Sequence, residues 1–217
     1  PYAFQGLGAE GLRLLKLAKE ETGLPIVSEL MDASQLPLFK DVDVIQVGAR
    51  NMQNFNLLKI LGSQEKPVLI KRGLSSTYEE WLMSAEYVMS EGNENVLLCE
   101  RGSVFGYHQL VVDFRSLSIL RGLGCPVVFD GTHSVQSMGG LCSASGGDRR
   151  FVRPLVRAAV AAGVDALFLE VHPEPARAKS DGPNLVPLDA LPRLLDEVKA
   201  LHDVVRTLGP ATLDWVG

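Results

Sequence analysis

The sequence predicts an α/β fold built on a parallel sheet, in the form of a (β/α)8 barrel. Three observations predict it. Short runs rich in Val, Ile and Leu alternate with longer amphipathic runs. Each short run is bounded by Gly, Pro or charge, as buried parallel strands are. Polar residues gather where the runs end, which in a barrel places them at one mouth, where barrel active sites lie.

In chain order, strands are expected at 25–29, 42–47, 68–71, 96–99, 127–130 and 166–170, with helices at 9–22, 54–61, 77–91, 110–123, 149–162 and 188–208. In the first helix Leu12, Leu15 and Ala18 keep helical spacing on one face. Thr77 with Glu80 makes a capping box at the start of 77–91, and Gly92 sits where that helix would be capped. The run ends carry Glu29, Gln46 with Arg50, Lys71 with Arg72, Glu100 with Arg101, Asp130 with His133, and Glu170 with His172. An open doubly wound sheet is the competing architecture, but no GxGxxG follows any strand, which weakens its dinucleotide-binding version. Six strands are counted where a barrel needs eight, and a loop-like segment opens the chain at Pro1; the first two β/α units are therefore expected to lie outside this chain.

The 217 residues suit one domain, 1–217, with no linker, low-complexity segment or repeat beyond the β/α alternation. Apolar residues make up 46% of the chain, yet no apolar run approaches a membrane span. Pro1-Tyr2-Ala3-Phe4-Gln5-Gly6 has neither a basic nor an apolar leader region, so no secretory signal is read there. A net charge of −5 argues against a nucleic-acid footprint. Cys99, Cys125 and Cys142 show no CxxC spacing, and their odd number fits a reducing compartment. The expectation is a soluble cytoplasmic protein.

The candidate chemistry is cationic first. Arg50, Lys71 and Arg101 each sit at or just past a strand end, without an acidic partner in their own motifs. Such groups suit a phosphate or carboxylate ligand; structural salt bridges to Glu29 or Glu100 are the plainer alternative. Lys71 could instead be a Schiff-base lysine, its pKa depressed by Arg72. Three further residues form a metal candidate. His133 follows the strand ending in Asp130-Gly131-Thr132, Glu170 ends the apolar run Ala166-Leu167-Phe168-Leu169, and Asp181 lies in Ser180-Asp181-Gly182-Pro183. Singly, His133 reads as a carbonyl cap and Asp181 as an Asx-turn. As a trio on adjacent strand ends they suit Mn²⁺, Fe²⁺ or Zn²⁺. The Gly/Ser-rich stretch 139–147 reads as a loop over the mouth.

These motifs resemble the enzymes that condense phosphoenolpyruvate with a phosphorylated aldose. The family has two branches, 3-deoxy-D-manno-octulosonate 8-phosphate (KDO8P) synthase and type I DAHP synthase. Residues 1 to about 98 resemble β-subtype DAHP synthase through Pro1-Tyr2-Ala3-Phe4-Gln5-Gly6-Leu7-Gly8, Ser28-Glu29 and Gln46-Val47-Gly48-Ala49-Arg50-Asn51-Met52-Gln53-Asn54. From about Ser103 the likeness is to KDO8P synthase, through Phe105-Gly106-Tyr107, Leu110-Val111-Val112-Asp113-Phe114-Arg115-Ser116, Thr132-His133-Ser134-Val135-Gln136, Ser143-Ala144-Ser145-Gly146-Gly147 and Ser180-Asp181-Gly182-Pro183-Asn184. Both branches share Cys99-Glu100-Arg101-Gly102.

The resemblance implies an eight-stranded barrel with a divalent metal on His133, Glu170 and Asp181. A fourth ligand, a Cys on the first strand, would lie upstream of Pro1, as would the loop gripping the aldose phosphate; metal-independent KDO8P synthases carry Asn at that Cys position. Lys71 and Arg101 would hold phosphoenolpyruvate, joined by Arg50, with Gln46 and Asp130 at the same substrate site and His133 in the catalytic set. A departure is His108-Gln109, where KDO8P synthases usually show two Asn. The substrates implied are phosphoenolpyruvate and an aldose phosphate, without nucleic-acid or membrane partners, and the family assembly is a homotetramer. The second-half motifs tip the reading to KDO8P synthase, acting on arabinose 5-phosphate. DAHP synthase, acting on erythrose 4-phosphate, is the alternative; an inactive fragment or phosphosugar-binding protein is a further one.

Overall fold

The computed structural model describes residues 4–105, 108–138 and 146–209. The chain divides into two compact units, Pro1–Leu98 and Cys99–Gly217. Both are α/β.

The first unit runs α1 (Ala9–Thr22), β1 (Val27–Glu29), a 3-10 segment (Ala33–Asp41), β2 (Val44–Val47), a 3-10 turn (Ala49–Asn51), α2 (Phe55–Gly62), β3 (Val68–Lys71), α3 (Tyr78–Met89) and β4 (Val96–Glu100), whose last two residues open the second unit. The strand order is β1-β2-β3-β4. β1 pairs in parallel with β2, Glu29 opposite Gln46, and β2 with β3, Val47 opposite Ile70.

Local chemistry places the helix ends. The Thr77 hydroxyl accepts from the Glu80 N–H at 3.2 Å while the Glu80 carboxylate accepts from the Thr77 N–H at 2.9 Å, the expected capping box. Asn54 caps α2 by accepting from the Leu57 N–H. Gly23, at φ 72°, closes α1 in the left-handed conformation and donates to the Lys19 carbonyl. Ile45, Val47, Val68 and Ile70 are buried with Leu57, Leu58 and Leu61 of α2 and Trp81 and Val88 of α3. The Trp81 indole N–H, wholly buried, donates to the Ile70 carbonyl at 3.1 Å and so is not left unpaired in the core. The apolar face of α1 forms as its spacing predicts, but none of its residues is buried.

The second unit continues with the antiparallel pair β5 (Ser103–Val104) and β6 (Leu110–Val111), α4 (Arg115–Gly122), β7 (Val127–Asp130), the antiparallel pair β8 (Gln136–Ser137) and β9 (Gly146–Gly147), α5 (Val152–Ala161), β10 (Ala166–Phe168), the parallel pair β11 (Val171–His172) and β12 (Val186–Pro187), and α6 (Leu191–Leu208). β7 and β10 pair in parallel, Asp130 opposite Phe168. α5 packs Val152, Val156, Ala159 and Val160 inward and lies against α6.

Three expectations need correction. The helix expected over 110–123 starts only at Arg115, because Leu110 and Val111 pair with Val104 and Ser103 and Asp113 accepts from the Arg115 N–H. β1 and β10 are not buried strands: Val27 is 45% exposed and Ala166 is exposed, since among the described residues each strand pairs on one side only. β10 also ends at Phe168, leaving Glu170 beyond it. Of the loop expected over 139–147, residues 139–145, with Cys142, lie outside the described residues, and Gly146–Gly147 forms β9. No helix among the described residues is long and apolar enough to cross a membrane.

Candidate metal and anion site

In the second unit β7 ends in a turn that the Asp130 carboxylate organises from within. Its Oδ1 accepts from the Thr132 N–H, the Thr132 hydroxyl and the His133 N–H, at 3.2, 3.1 and 2.9 Å. Its Oδ2 lies 2.7 Å from Nδ1 of His133. Asp130 is fully buried, and a carboxylate only accepts, so the His133 Nδ1 carries a proton and Nε2 is the nitrogen left to face a ligand. Gly131 is required in this turn, since a Cβ there would stand 2.5 Å from Val156 Cγ2.

His133 Nε2 lies 3.4 Å from Glu170 Oε1. The Glu170 N–H donates to the Thr132 hydroxyl, tying the segment after β10 to the β7 turn. Asp181 completes the group: one ligand atom from each of His133, Glu170 and Asp181 lies within 4.8 Å of the other two. Asp181 holds a left-handed backbone, φ 52°, a conformation Asp tolerates better than most residues. Its loop is tethered by Arg149, which donates to the Gly182 carbonyl at 2.9 Å, and by the Asn184 N–H bonded to the Asp181 carbonyl.

The donor set fits a divalent cation. One imidazole and two carboxylates converge, all partly exposed, with the imidazole held by a buried carboxylate behind it, the arrangement that orients metal-bound histidines.

Arg101, immediately after β4 and 6% exposed, donates from Nη2 to Gln136 Oε1 at 2.6 Å. Gln136 in turn donates from Nε2 to Asp181 Oδ1 at 2.7 Å. Glu100 is wholly buried, and its carboxylate accepts from the N–H groups of Arg101 and Gly102 and from the Ser116 hydroxyl, shaping the turn that carries Arg101.

In the first unit Gln46 Nε2 donates to Glu29 Oε2 at 3.2 Å, across paired strand ends. Gly48 gives the Glu29 carboxylate its room, for a Cβ there would lie 2.0 Å from Oε1. Lys71 closes β3 and is buried; Arg50, in the 3-10 turn after β2, is exposed. Arg72 is committed locally: it donates to the Ser76 carbonyl at 2.7 Å and lies over the Tyr78 ring. His172 is not part of the cation cluster, because its Nδ1 accepts from the Glu174 N–H and closes a turn.

Sequence reasoning missed Gln136 as a site residue, and it did not single out the buried amide of Asn184. The Asn184 side chain is 1% exposed, and its amide nitrogen and oxygen have no hydrogen-bond partner among the described residues. Its only sequence signal is its place in the Asp181 motif. Neither described cysteine looks reactive: Cys99 is wholly buried, and burial pushes the Cys125 thiol above its usual pKa.

Parallel α/β architecture with a candidate divalent-cation site beside a buried arginine defines a class of enzymes that handle small anionic substrates. The comparisons specify it further. The family model described as the DAHP synthetase I family matches residues 1–207. The chain belongs to that family. A 2-dehydro-3-deoxyphosphooctonate aldolase of Syntrophotalea carbinolica is 48% identical over 206 residues, covering 94% of this chain and 74% of that protein. One of the same name from Magnetococcus marinus is 46% identical, covering 93% and 71%. Among solved structures, a DAHP synthase of Thermotoga maritima is 40% identical with a TM-score of 0.84; the match covers 94% of this chain, which spans 58% of that one. A truncated form of the Thermotoga enzyme is 39% identical with a TM-score of 0.82, covering 93% and 74%. Both branches expected from the motifs are thus represented.

Proposed function

We propose that the chain condenses phosphoenolpyruvate with arabinose 5-phosphate to give KDO8P and inorganic phosphate. The observation that carries this reading is the near-half identity to proteins named for the eight-carbon product, over almost the whole chain. The site is consistent with it, since Arg101 and the His133, Glu170 and Asp181 group offer an anion contact and a cation site within one unit. The barrel expected from the alternation, with six of its eight strands in a single catalytic domain, belongs to the same proposal.

In the proposed reaction Lys71, Arg101 and Arg50 neutralise the phosphate and carboxylate of phosphoenolpyruvate, with Gln46 at the same substrate site. C3 of the enol attacks the aldehyde carbon, forming the new C–C bond as the aldehyde oxygen takes a proton. Water adds at C2, and the C2–O bond to phosphate breaks, releasing inorganic phosphate. A Mn²⁺, Fe²⁺ or Zn²⁺ ion on His133, Glu170 and Asp181 would supply Lewis acidity toward the aldehyde oxygen. Asp130 holds the His133 imidazole in the tautomer that leaves Nε2 available. A Schiff base on Lys71 has no part in this scheme; borohydride trapping with substrate would reveal one.

DAHP synthesis from erythrose 4-phosphate is the second reading, favoured by the Thermotoga structures and by the first-half motifs. The test is phosphate release from phosphoenolpyruvate with Mn²⁺, comparing the two sugars. Preference for arabinose 5-phosphate supports the proposal, preference for erythrose 4-phosphate replaces it with DAHP synthesis, and binding of the sugars without release would leave a phosphosugar-binding protein. The resemblance implies a homotetramer and the cysteine usage a reducing cytoplasm; sedimentation would read the mass of the assembly.

A further inference from the structure

The geometry points to Gln136 as a positioning residue that links the anion contact to the cation site, a role that rests on the function proposed above. Gln136 is 5% exposed, and its carboxamide has both ends committed: Oε1 accepts from Arg101 Nη2 at 2.6 Å, and Nε2 donates to Asp181 Oδ1 at 2.7 Å. The orientation is dictated by chemistry. A guanidinium only donates and a carboxylate only accepts, so the amide oxygen must face Arg101 and the amide nitrogen Asp181. Both partners also stiffen the amide, because charge-assisted hydrogen bonds are the stronger kind.

A neutral amide does something here that no charged residue could. It joins a cation to an anion without letting them neutralise each other as an ion pair. The Arg101 guanidinium and the Asp181 carboxylate each keep their full charge, one on either side of the amide. The bond to Oδ1 also leaves Oδ2 as the Asp181 oxygen not bonded to Gln136. Gln136 is well placed for this. It opens β8, whose pairing with Gly146–Gly147 holds its backbone, and it directly follows the turn that carries His133. One short segment thus presents a metal ligand and the amide that orients another.

The test measures Mn²⁺ and phosphoenolpyruvate binding separately, by calorimetry on the unmodified chain and on Gln136→Leu and Gln136→Glu, with thermal melts of all three. Gln136→Leu keeps the bulk but loses both hydrogen bonds, so Arg101 and Asp181 can collapse on each other. Mn²⁺ and phosphoenolpyruvate affinities should both fall, Mn²⁺ by about 10–100-fold, the usual effect of losing a residue that orients a metal ligand. Gln136→Glu keeps the acceptor for Arg101 and adds a negative charge beside Asp181. It should weaken phosphoenolpyruvate at least tenfold while Mn²⁺ binding is held or strengthened. That split separates the role from simple structural damage, which would lower both affinities along with the melting temperature. Wild-type affinities in the Leu variant, or parallel losses in the Glu variant, would overturn the role of Gln136 alone. Failure of the unmodified chain to bind phosphoenolpyruvate would instead overturn the functional reading, and the linkage with it.

Discussion

Asp130→Asn is the most discriminating substitution in the cation site. Asp130 is wholly buried and its Oδ2 stands 2.7 Å from His133 Nδ1. Asn is nearly isosteric, and its oxygen can keep the three bonds that Oδ1 accepts from Thr132 and the His133 N–H. Its nitrogen, however, meets His133 Nδ1 as a donor. The imidazole must then accept on Nδ1 and carry its proton on Nε2, which removes the lone pair aimed toward Glu170. Two losses follow, and they are separable. Stability falls by about 1–2 kcal/mol, the difference between a hydrogen bond to a charged group and one to a neutral group. Metal affinity falls by about 10–100-fold, because the wrong tautomer must be corrected each time an ion binds. Mn²⁺ titration by calorimetry, beside a denaturant melt, reads both. Unaltered Mn²⁺ affinity in a folded Asn variant would refute the assignment of His133 as a ligand through Nε2.

Two further outcomes rest on contacts outside that turn. Gly147→Ala places a Cβ 1.5 Å from Asn184 Oδ1 and 2.9 Å from the Val135 carbonyl, so it should cost about 1–3 kcal/mol by overpacking, and Asn184→Ala in the same chain should recover part of that loss in a double-mutant cycle. Asp43, bonded by the Lys19 ammonium and the Ile26 N–H, is held below the usual carboxylate pKa. A folded-state pKa below the unfolded one contributes stability above the unfolded value, and that contribution disappears as pH falls through the folded value. Melting temperature should therefore drop on acidification below about pH 4, and Asp43→Asn should be less stable at neutral pH but lose less on acidification. Equal acid sensitivity in the two proteins would remove Asp43 from the account.

Much of this architecture was legible in the sequence because its determinants are local. The capping box of Thr77 and Glu80 marks a helix start within four residues, and the apolar runs of β3 and β7 end where charge begins. The cation trio was legible for a related reason. A carboxylate closing an apolar run, as Glu170 does, is costly unless something accounts for it. What the sequence could not decide was whatever depends on partners far along the chain. Leu110 and Val111 read as the start of a helix until Ser103 and Val104 pair with them. β1 and β10 carry the composition of buried strands, but burial depends on how many neighbours a strand has, which no local pattern encodes. Gln136 is the clearest case. In its own segment it is an unremarked polar residue after a histidine, and its function rests on Arg101, 35 residues before it, and Asp181, 45 residues after. Residue type announced which groups can bind an anion or a metal; only folding determined that one uncharged amide holds them in place, because hydrogen bonds act over about 3 Å and sequence separation says nothing about distance.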